Sequence, residues 1–358
     1  MGEEHLKVLQ MLSDGKLDVR EADKLLRQLP PDGGQEGMYG RHHNRHGGYW
    51  HREFLGQDFV ENIIENIVGE TAGFGRQFHA VFSSEPVAGP INRLQLAGKN
   101  DSVDVYGYSG DCIKLDVTYK LKRGVDPMFA FKEDNGGYRL LYDEGAVSSV
   151  KIVAEVPRVH VGQLFVESKN ASVTLRGLEA DNCDLRTKNA GINARDVKCG
   201  ELSAQTSNAS IDAERVDAPK ITITTSNAGV KLEQSRADMA RLSTSNASVQ
   251  TRGNDVRQLY INTSNAGIRL EDGPFNGQYP LYSVDAHTSN GNITAQNIRV
   301  PIMLRASTSF GHIDLDLPDF KEFRHAGGHV ELKSPGYDDA RQKLDIALYT
   351  SNGSIKVM

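Results

Sequence analysis

The sequence predicts a mainly β protein: a parallel β-solenoid with three short strands per coil of about 19 residues, preceded by a small α-helical hairpin and an amphipathic helix. Three observations carry the prediction. Six copies of a short motif, among them "TSNASI" and "TSNAGV", begin at Ser168, Thr187, Thr206, Thr225, Thr244 and Thr263, each 19 residues after the last. Looser copies follow from Thr288, Thr308 and Thr350, and "GKNDSV" at 98–103 puts Asn100 and Val103 in matching places. A fixed period near twenty residues marks a stacked repeat. Within the period 206–224, the pairs Ile211/Ala213, Val216/Ala218 and Ile221/Ile223 each alternate with polar residues, which is the pattern of three half-buried strands. Finally, 35 glycines against only 7% aromatic residues suit short strands and tight turns better than a helical globule.

Taken in chain order, residues 1–30 read as a helical hairpin. Leu6, Leu9 and Met11/Leu12 have helical spacing, "DGK" interrupts, and Asp18 with Glu21 has the spacing of a capping box. Val19, Ala22, Leu25, Leu26 and Leu29 give the second helix its apolar stripe, and Pro30-Pro31 ends it. So small a unit holds little core. It is read equally as a self-associating hairpin and as a docking module for another protein. Residues 31–52 form a Gly/His-rich linker without periodicity. His42, His43, His46 and His51 are metal-ligand candidates by residue type, but a flexible tract supplies no fixed geometry, and the reading is a solvated tether. Residues 53–75 begin with an amphipathic helix, "EFLGQDFVENIIENIV", whose polar face carries Asp58, Glu61 and Glu65. An acidic face opposes docking to anionic lipid, so this helix reads as a cover for the solenoid that occupies 80–358.

In that solenoid, nineteen residues are too few for a crossover helix in every turn, so each strand stacks on its counterpart in the next coil. Nine or ten coils at about 4.8 Å would make a rod about 45 Å long. The motif falls between the third strand of one coil and the first of the next. Its small residues permit a tight turn, and Asn tolerates left-handed backbone. Asn170, Asn189, Asn208, Asn227, Asn246, Asn265, Asn290 and Asn352 should then form an amide ladder along one edge. The C-terminus, "GSIKVM", stops directly after a strand pair with no polar cap. An uncovered solenoid end exposes strand edges, which predicts a homo-oligomer. A leucine-rich repeat is the rival architecture for "LYINTSNAGI", but its return segment lacks leucines.

No residues are predicted to be catalytic, to bind a cofactor or to hold a metal at a defined site. The first strand's outward positions, Thr174/Arg176, Asn193/Arg195, Asp212/Glu214, Lys231/Glu233, Gln250/Arg252 and Arg269/Glu271, mix signs and form no acidic row. Phosphate-binding loops, zinc-protease motifs and nucleophile elbows are missing. His312, His325 and His329, with Asp314 and Asp316, gather near the C-terminal coils and read as polar residues of a divergent end coil. Cys112, Cys183 and Cys199 have no CxxC spacing and read as reduced, buried residues. A net charge of −6 gives no attraction to nucleic acid. The acidic start and lack of a roughly 20-residue apolar run predict a cytoplasmic chain, in which Asn-x-Ser at 170, 208 and 246 would not meet glycosylation machinery.

Residues 94–117, 150–157 and 162–192, ending in "KNASVTLRGLEADNCDLRTKNAGI", resemble the bacterial putative-adhesin family of β-strand repeats, a domain of unknown function. The hairpin at 6–29 resembles the SHOCT-like module that precedes this domain in some Firmicute cell-envelope stress proteins. The resemblance implies a non-enzymatic role in envelope stress or its regulation. The expected function is a scaffold with the solenoid as platform and the hairpin as docking or self-association module. A carbohydrate-binding or carbohydrate-active β-helix, and a membrane-surface or peptide sensor acting through helix 53–68, are the alternatives.

Overall fold

The computed structural model of the protein describes residues 77–122, 128–273, 279–317, 322–326 and 328–358. The expected hairpin, linker and amphipathic helix, with His42, His43, His46 and His51, lie outside the described residues. Among the described residues every regular element is a strand, and no helix is long and apolar enough to cross a membrane.

The alternating pairs place themselves as period-2 patterning dictates. Ile211, Ala213, Val216, Ala218, Ile221 and Ile223 are all buried, as are Val173, Leu175, Leu178, Ala180, Cys183 and Leu185 two motifs earlier. Their polar neighbours face outward. Three parallel ladders result. In the first, Val173–Arg176 pairs with Ile192–Arg195, which pairs with Ile211–Glu214 and so on through Ile268–Glu271 and Ile293–Gln296. The third runs likewise from Val161–Ser168 to Leu281–His287. Between them lies a short second ladder, in which Val197 and Lys198 meet Val216 and Asp217, Asp217 meets Arg236, and Arg236 meets Asp255. Through the regular part of the stack each partner lies 19 residues on, so one turn of chain closes one coil.

The left-handed backbone falls at a different corner from the one expected. Of the asparagines in the motif file only Asn100 has positive φ (54°); Asn170, Asn189, Asn208, Asn227, Asn246, Asn265, Asn290 and Asn352 do not. The left-handed column instead links the first and second ladders: Gly177, Asp196 (φ 54°), Arg215 (52°), Gln234 (48°), Gly253, Asp272 (52°) and Asn297 (61°). The reason is geometric. This corner must reverse within one residue, Gly177 lying directly between strands Val173–Arg176 and the second-ladder segment that opens at Leu178. The motif corner spreads its turn over five residues.

At the N-terminal end the repeat gives way to mixed sheet. Asn100–Tyr108 extends the first ladder, Val147–Pro157 lies parallel to it, and Lys114–Leu121 and Gln77–Ser83 follow antiparallel. Ile91–Gly98 heads the third ladder and is flanked by the hairpin Ala130–Asp134/Gly137–Leu141.

At the other end the structure corrects the expectation of an uncovered C-terminus. Strand Lys343–Thr350 lies between Leu281–His287 and Ile302–Thr308, parallel to both. Ile355–Val357 lies between Ile293–Ala295 and Ile313–Leu315. The last coil in sequence is therefore the last but one in space. The physical end is the coil that begins at Thr308, and on the third ladder the antiparallel strands His329–Lys333 and Glu322–Ala326 cover it.

Where the motif reads "NG" rather than "NA", the backbones touch. A Cβ on Gly353 would lie 1.8 Å from the carbonyl oxygen of Gly291, and one on Gly291 would lie 2.0 Å from that of Ala266. Gly353→Ala is expected to cost about 1–3 kcal/mol through overpacking, whereas Ala228→Gly at the same motif position should cost only about 0.5–1 kcal/mol in backbone entropy. Denaturant melts of the two variants check the order; equal losses would show that the glycine corners have slack.

Candidate functional site

Each residue of the repeated corner is occupied in holding the next coil. Thr225 is buried and its Oγ1 donates to the carbonyl of Ala209 at 3.0 Å. Thr187, Thr206, Thr244, Thr263 and Thr288 repeat the bond. Ser168, the copy without a Thr methyl, keeps a buried hydroxyl with no partner. The amides of Ser226 and Asn227 both donate to the carbonyl of Ser207, at 3.2 and 3.0 Å. The asparagine side chains form one continuous file. Nδ2 of Asn170 donates to Oδ1 of Asn100 at 2.5 Å, and the same bond joins Asn189, Asn208, Asn227, Asn246, Asn265 and Asn290 to their predecessors at 2.5–2.9 Å. Asn352 closes onto Asn290 at 2.6 Å, across the gap in sequence order. Asn100 ends the file by donating to the carbonyl of Ser148. At the far end Phe310, 82% exposed, stands where an asparagine would continue it.

The left-handed corner is electrostatic instead. Arg215 bonds both oxygens of Asp196 in the coil before, at 2.6 and 3.1 Å, and also reaches Glu214. The Arg215 hydrogen bonds hold the Asp196 carboxyl below the ordinary carboxylate value, helped by Arg195 and Arg176 and opposed by slight desolvation. Further along, this corner turns polar inside. The Val216 amide donates to Ser235 Oγ, the Ser235 amide to Asn254 Oδ1, and Asn254 Nδ2 to the carbonyl of Leu232. Buried Tyr282 donates to Asp255, itself 4% exposed, and Arg236 lies 3.5 Å from that carboxylate.

The outward faces show what chemistry is open to the molecule. On the first ladder, Arg195 pairs with Glu214 and Arg252 with Glu271, both at 3.1 Å across coils, and Lys356 with Asp314 at 3.7 Å. These carboxylates face guanidinium or ammonium groups of the neighbouring coil. The third ladder presents Ser203, Thr222, Ser243 and Asn262, flanked by Arg241 over the Tyr260 ring at 5.1 Å and by His287 stacked on Tyr349 at 4.6 Å. A shallow groove of about 600 Å³ runs between Tyr279, Pro280, Val300, Pro301 and the segment Ala340–Gln342. Desolvation, with Asp238 bonded at 3.0 Å, pushes the Tyr279 hydroxyl up to about 12, so it stays protonated.

The histidine group near the C-terminus is not brought together. His312 and Asp314 belong to the first ladder's last coil, while His329 lies in the hairpin on the third and sits 3.6 Å from Glu331. Asp316 is exposed, its amide bonded to the carbonyl of Val357. The side chain of His325 is outside the described residues. Among the described residues no three His, Cys, Asp or Glu side chains gather as a metal site. Cys183 and Cys199 are buried and free, and their mutual hydrogen bond, with burial, raises the Cys183 thiol; Cys112 is half-buried and free.

Three comparisons locate the chain among known proteins. A family model described as Toastrack DUF4097 matches residues 113–354, more than half of the chain. No curated protein matches it. Solved structures similar to it include a "putative cell adhesion protein" from Clostridium sporogenes, at 8% identity and TM-score 0.20, covering 79% of this chain and 99% of that one. A "putative adhesin" from Bacteroides fragilis follows at 10% identity and TM-score 0.39, covering 79% and 98%. A "putative lipid binding protein" from Parabacteroides distasonis shows 10% identity and TM-score 0.35, covering 80% and 98%. The family match alone places the chain, since structural likenesses this distant carry no argument.

Two measurements probe the corners. Asn208 is exposed and makes two amide bonds, so Asn208→Leu should lower stability by about 1 kcal/mol, seen as a shifted urea midpoint; an unchanged midpoint would mean the ladder contributes nothing. Because the folded carboxyl of Asp196 titrates below its unfolded value, its contribution is complete above the ordinary Asp value of about 3.9 and is lost as pH falls through the folded value. Arg215→Ala should raise the Asp196 titration midpoint toward the ordinary value, read by NMR of the side-chain carboxyl.

Proposed function

The chain belongs to the Toastrack DUF4097 family, and on that footing we propose that it is a non-enzymatic scaffold: a stiff solenoid that presents polar outer faces to a protein partner and that also self-associates. One observation carries the reading. The threonines and asparagines that make the repeat conspicuous are consumed in joining coil to coil, by hydroxyl-to-carbonyl and amide-to-amide bonds, and carboxylate–guanidinium pairs add to them. What remains outward is an ordered polar grid with one strand spacing per coil, a surface for docking rather than for bond making. Residues 1–52 then serve as the docking or self-association module, and a role in the cell-envelope stress response or its regulation is part of the same proposal.

A second reading has one observation in its favour. Tyr260, 36% exposed, and the His287–Tyr349 pair lie on one flat face with hydroxyl and amide side chains, a composition that suits stacking on sugar rings. A glycan array probed with the chain and with Tyr260→Ala separates the two. Sugar binding lost in the variant would favour the second reading.

The test of the first is affinity capture from cells with the full chain and with a chain lacking residues 1–52. A partner held by the full chain and lost, by at least tenfold in recovery, from the shortened one is the expected result. Identical capture by both would overturn the role given to the N-terminal segment.

A further inference from the structure

The solenoid is locked by its own end. The coil from Lys343 to Met358 is the bridge between the body of the stack and its terminal module, and among the described residues no other sheet pairing joins them. Leu281–His287 and Ile293–Gln296 pair with the body on one side and with this coil on the other. Ile302–Thr308 pairs only with this coil and the covering hairpin, and Ile313–Leu315 only with this coil. Without residues 343–358, two sheet edges would face each other across an empty slot.

That slot is built for one occupant. Leu344, Ile346, Leu348, Ile355 and Val357 fill the core on its inner side. Thr350 Oγ1 donates to the carbonyl of Gly291 and Asn352 Nδ2 to Asn290 Oδ1 on one wall. On the other, Thr308 Oγ1 donates to the carbonyl of Gly353, and the His312 amide donates to Ser354 Oγ. The Ser354 amide donates to Asn292 Oδ1. Only a "TSNG" corner supplies this set, because a Cβ at 353 would strike Gly291.

Three features make the occupant exchangeable. It pairs by its two strand edges, with Leu281–His287 and Ile293–Ala295 on one side and Ile302–Thr308 and Ile313–Leu315 on the other, so an identical segment can remake its contacts. It is tied to the hairpin by residues 334–342, in which Pro335, Gly336, Asp338, Asp339 and Arg341 are exposed and Gly336 has φ 74°. Extended, nine residues span up to about 30 Å, enough for the donor's body to sit clear of the acceptor. The side-chain bonds along the link run to the hairpin side or to the occupant itself: Ser334 to the Ile302 backbone, Asp338 to Lys333, and the Tyr337 hydroxyl to Asp345.

We propose that the slot between the Thr288 and Thr308 coils is a strand-acceptor site that takes residues 343–358 either from its own chain or from a second copy, and that reciprocal donation forms a two-fold exchanged dimer. Such an exchange re-creates every bond of the closed monomer and adds none, so the two forms differ mainly by concentration and by strain in the link. The inference deepens the self-association in the proposed function, giving it a route that leaves the polar faces free.

The test uses the full chain with Cys112→Ser. Asp285 and Ala347 are register partners across the slot, both facing outward. One preparation carries Asp285→Cys and the other Ala347→Cys; they are unfolded together, refolded at high concentration and oxidised. Exchange predicts a disulfide-linked dimer of the two different chains, identified by mass, whose yield rises with refolding concentration. A single chain carrying both substitutions should close on itself and run as a cross-linked monomer, which shows that the pair is competent. Should it fail to close, Arg305→Cys with Ala347→Cys repeats the experiment across the other wall. Dimers in light scattering with no mixed cross-link would overturn strand exchange and leave self-association standing. A strict monomer at every refolding concentration would overturn both.

Discussion

Everything in this molecule answers to the register between coils. Each backbone segment bonds to the one a single turn later, at the parallel-strand spacing of about 4.8 Å, so whatever stands at one position must tolerate a near copy of itself directly above and below. Few side chains do. Threonine does, by sending its hydroxyl to a carbonyl of the neighbouring coil, and asparagine does because its amide is donor and acceptor at once. Charged residues gain only where the signs differ from coil to coil, as at Arg195/Glu214, Asp196/Arg215 and Arg252/Glu271, while Arg176 beside Arg195 and Glu214 beside Glu233 put like charges in register. The repeated motif is the chemical solution to self-stacking, and its regularity follows from the spacing rather than from a shared ligand.

The same constraint explains what could be read from the sequence. Inward pairs such as Ile221/Ile223 are legible because alternation and periodicity agree, and the amide file is legible because identical residues recur in step. The left-handed corner is not, because its column runs Gly, Asp, Arg, Gln, Gly, Asp, Asn. No common residue type announces it, and Arg215 and Gln234 hold the conformation through their surroundings rather than by preference. The order of the last coils also escapes a reading by sequence position, since nothing in "TSNGSI" says which coil it joins. A signal was present all the same. Phe310 cannot extend a column of amides, so the corner that carries it belongs at the end of the file, beyond Asn352. The outer faces were legible as mixed in sign, but which carboxylate meets which guanidinium depends on rotamers that spacing does not specify.

For function, the consequence is a division of labour. The repeat supplies stiffness and a flat, neutralised exterior. Variation is confined to the ends, where aromatic rings pack at one pole, Phe78 on Tyr119 on Phe129 on Tyr142, and the inserted coil closes the other. A protein so arranged can lengthen or shorten its middle without altering either pole.

The asparagine file has a sense as well as a position. Every Nδ2 points toward the N-terminal coil and every Oδ1 away from it. The side-chain dipoles therefore add head to tail, as peptide dipoles do in a helix, and polarise one another along the chain of bonds. At the Asn100 end the donor is absorbed by a backbone carbonyl. At the Asn352 end the next corner carries exposed Phe310 in place of an asparagine, so no further amide takes up the last carbonyl oxygen and the file ends in a partial negative charge. A structure assembled from near-identical turns thus has two electrically different poles, written along a single row of amides.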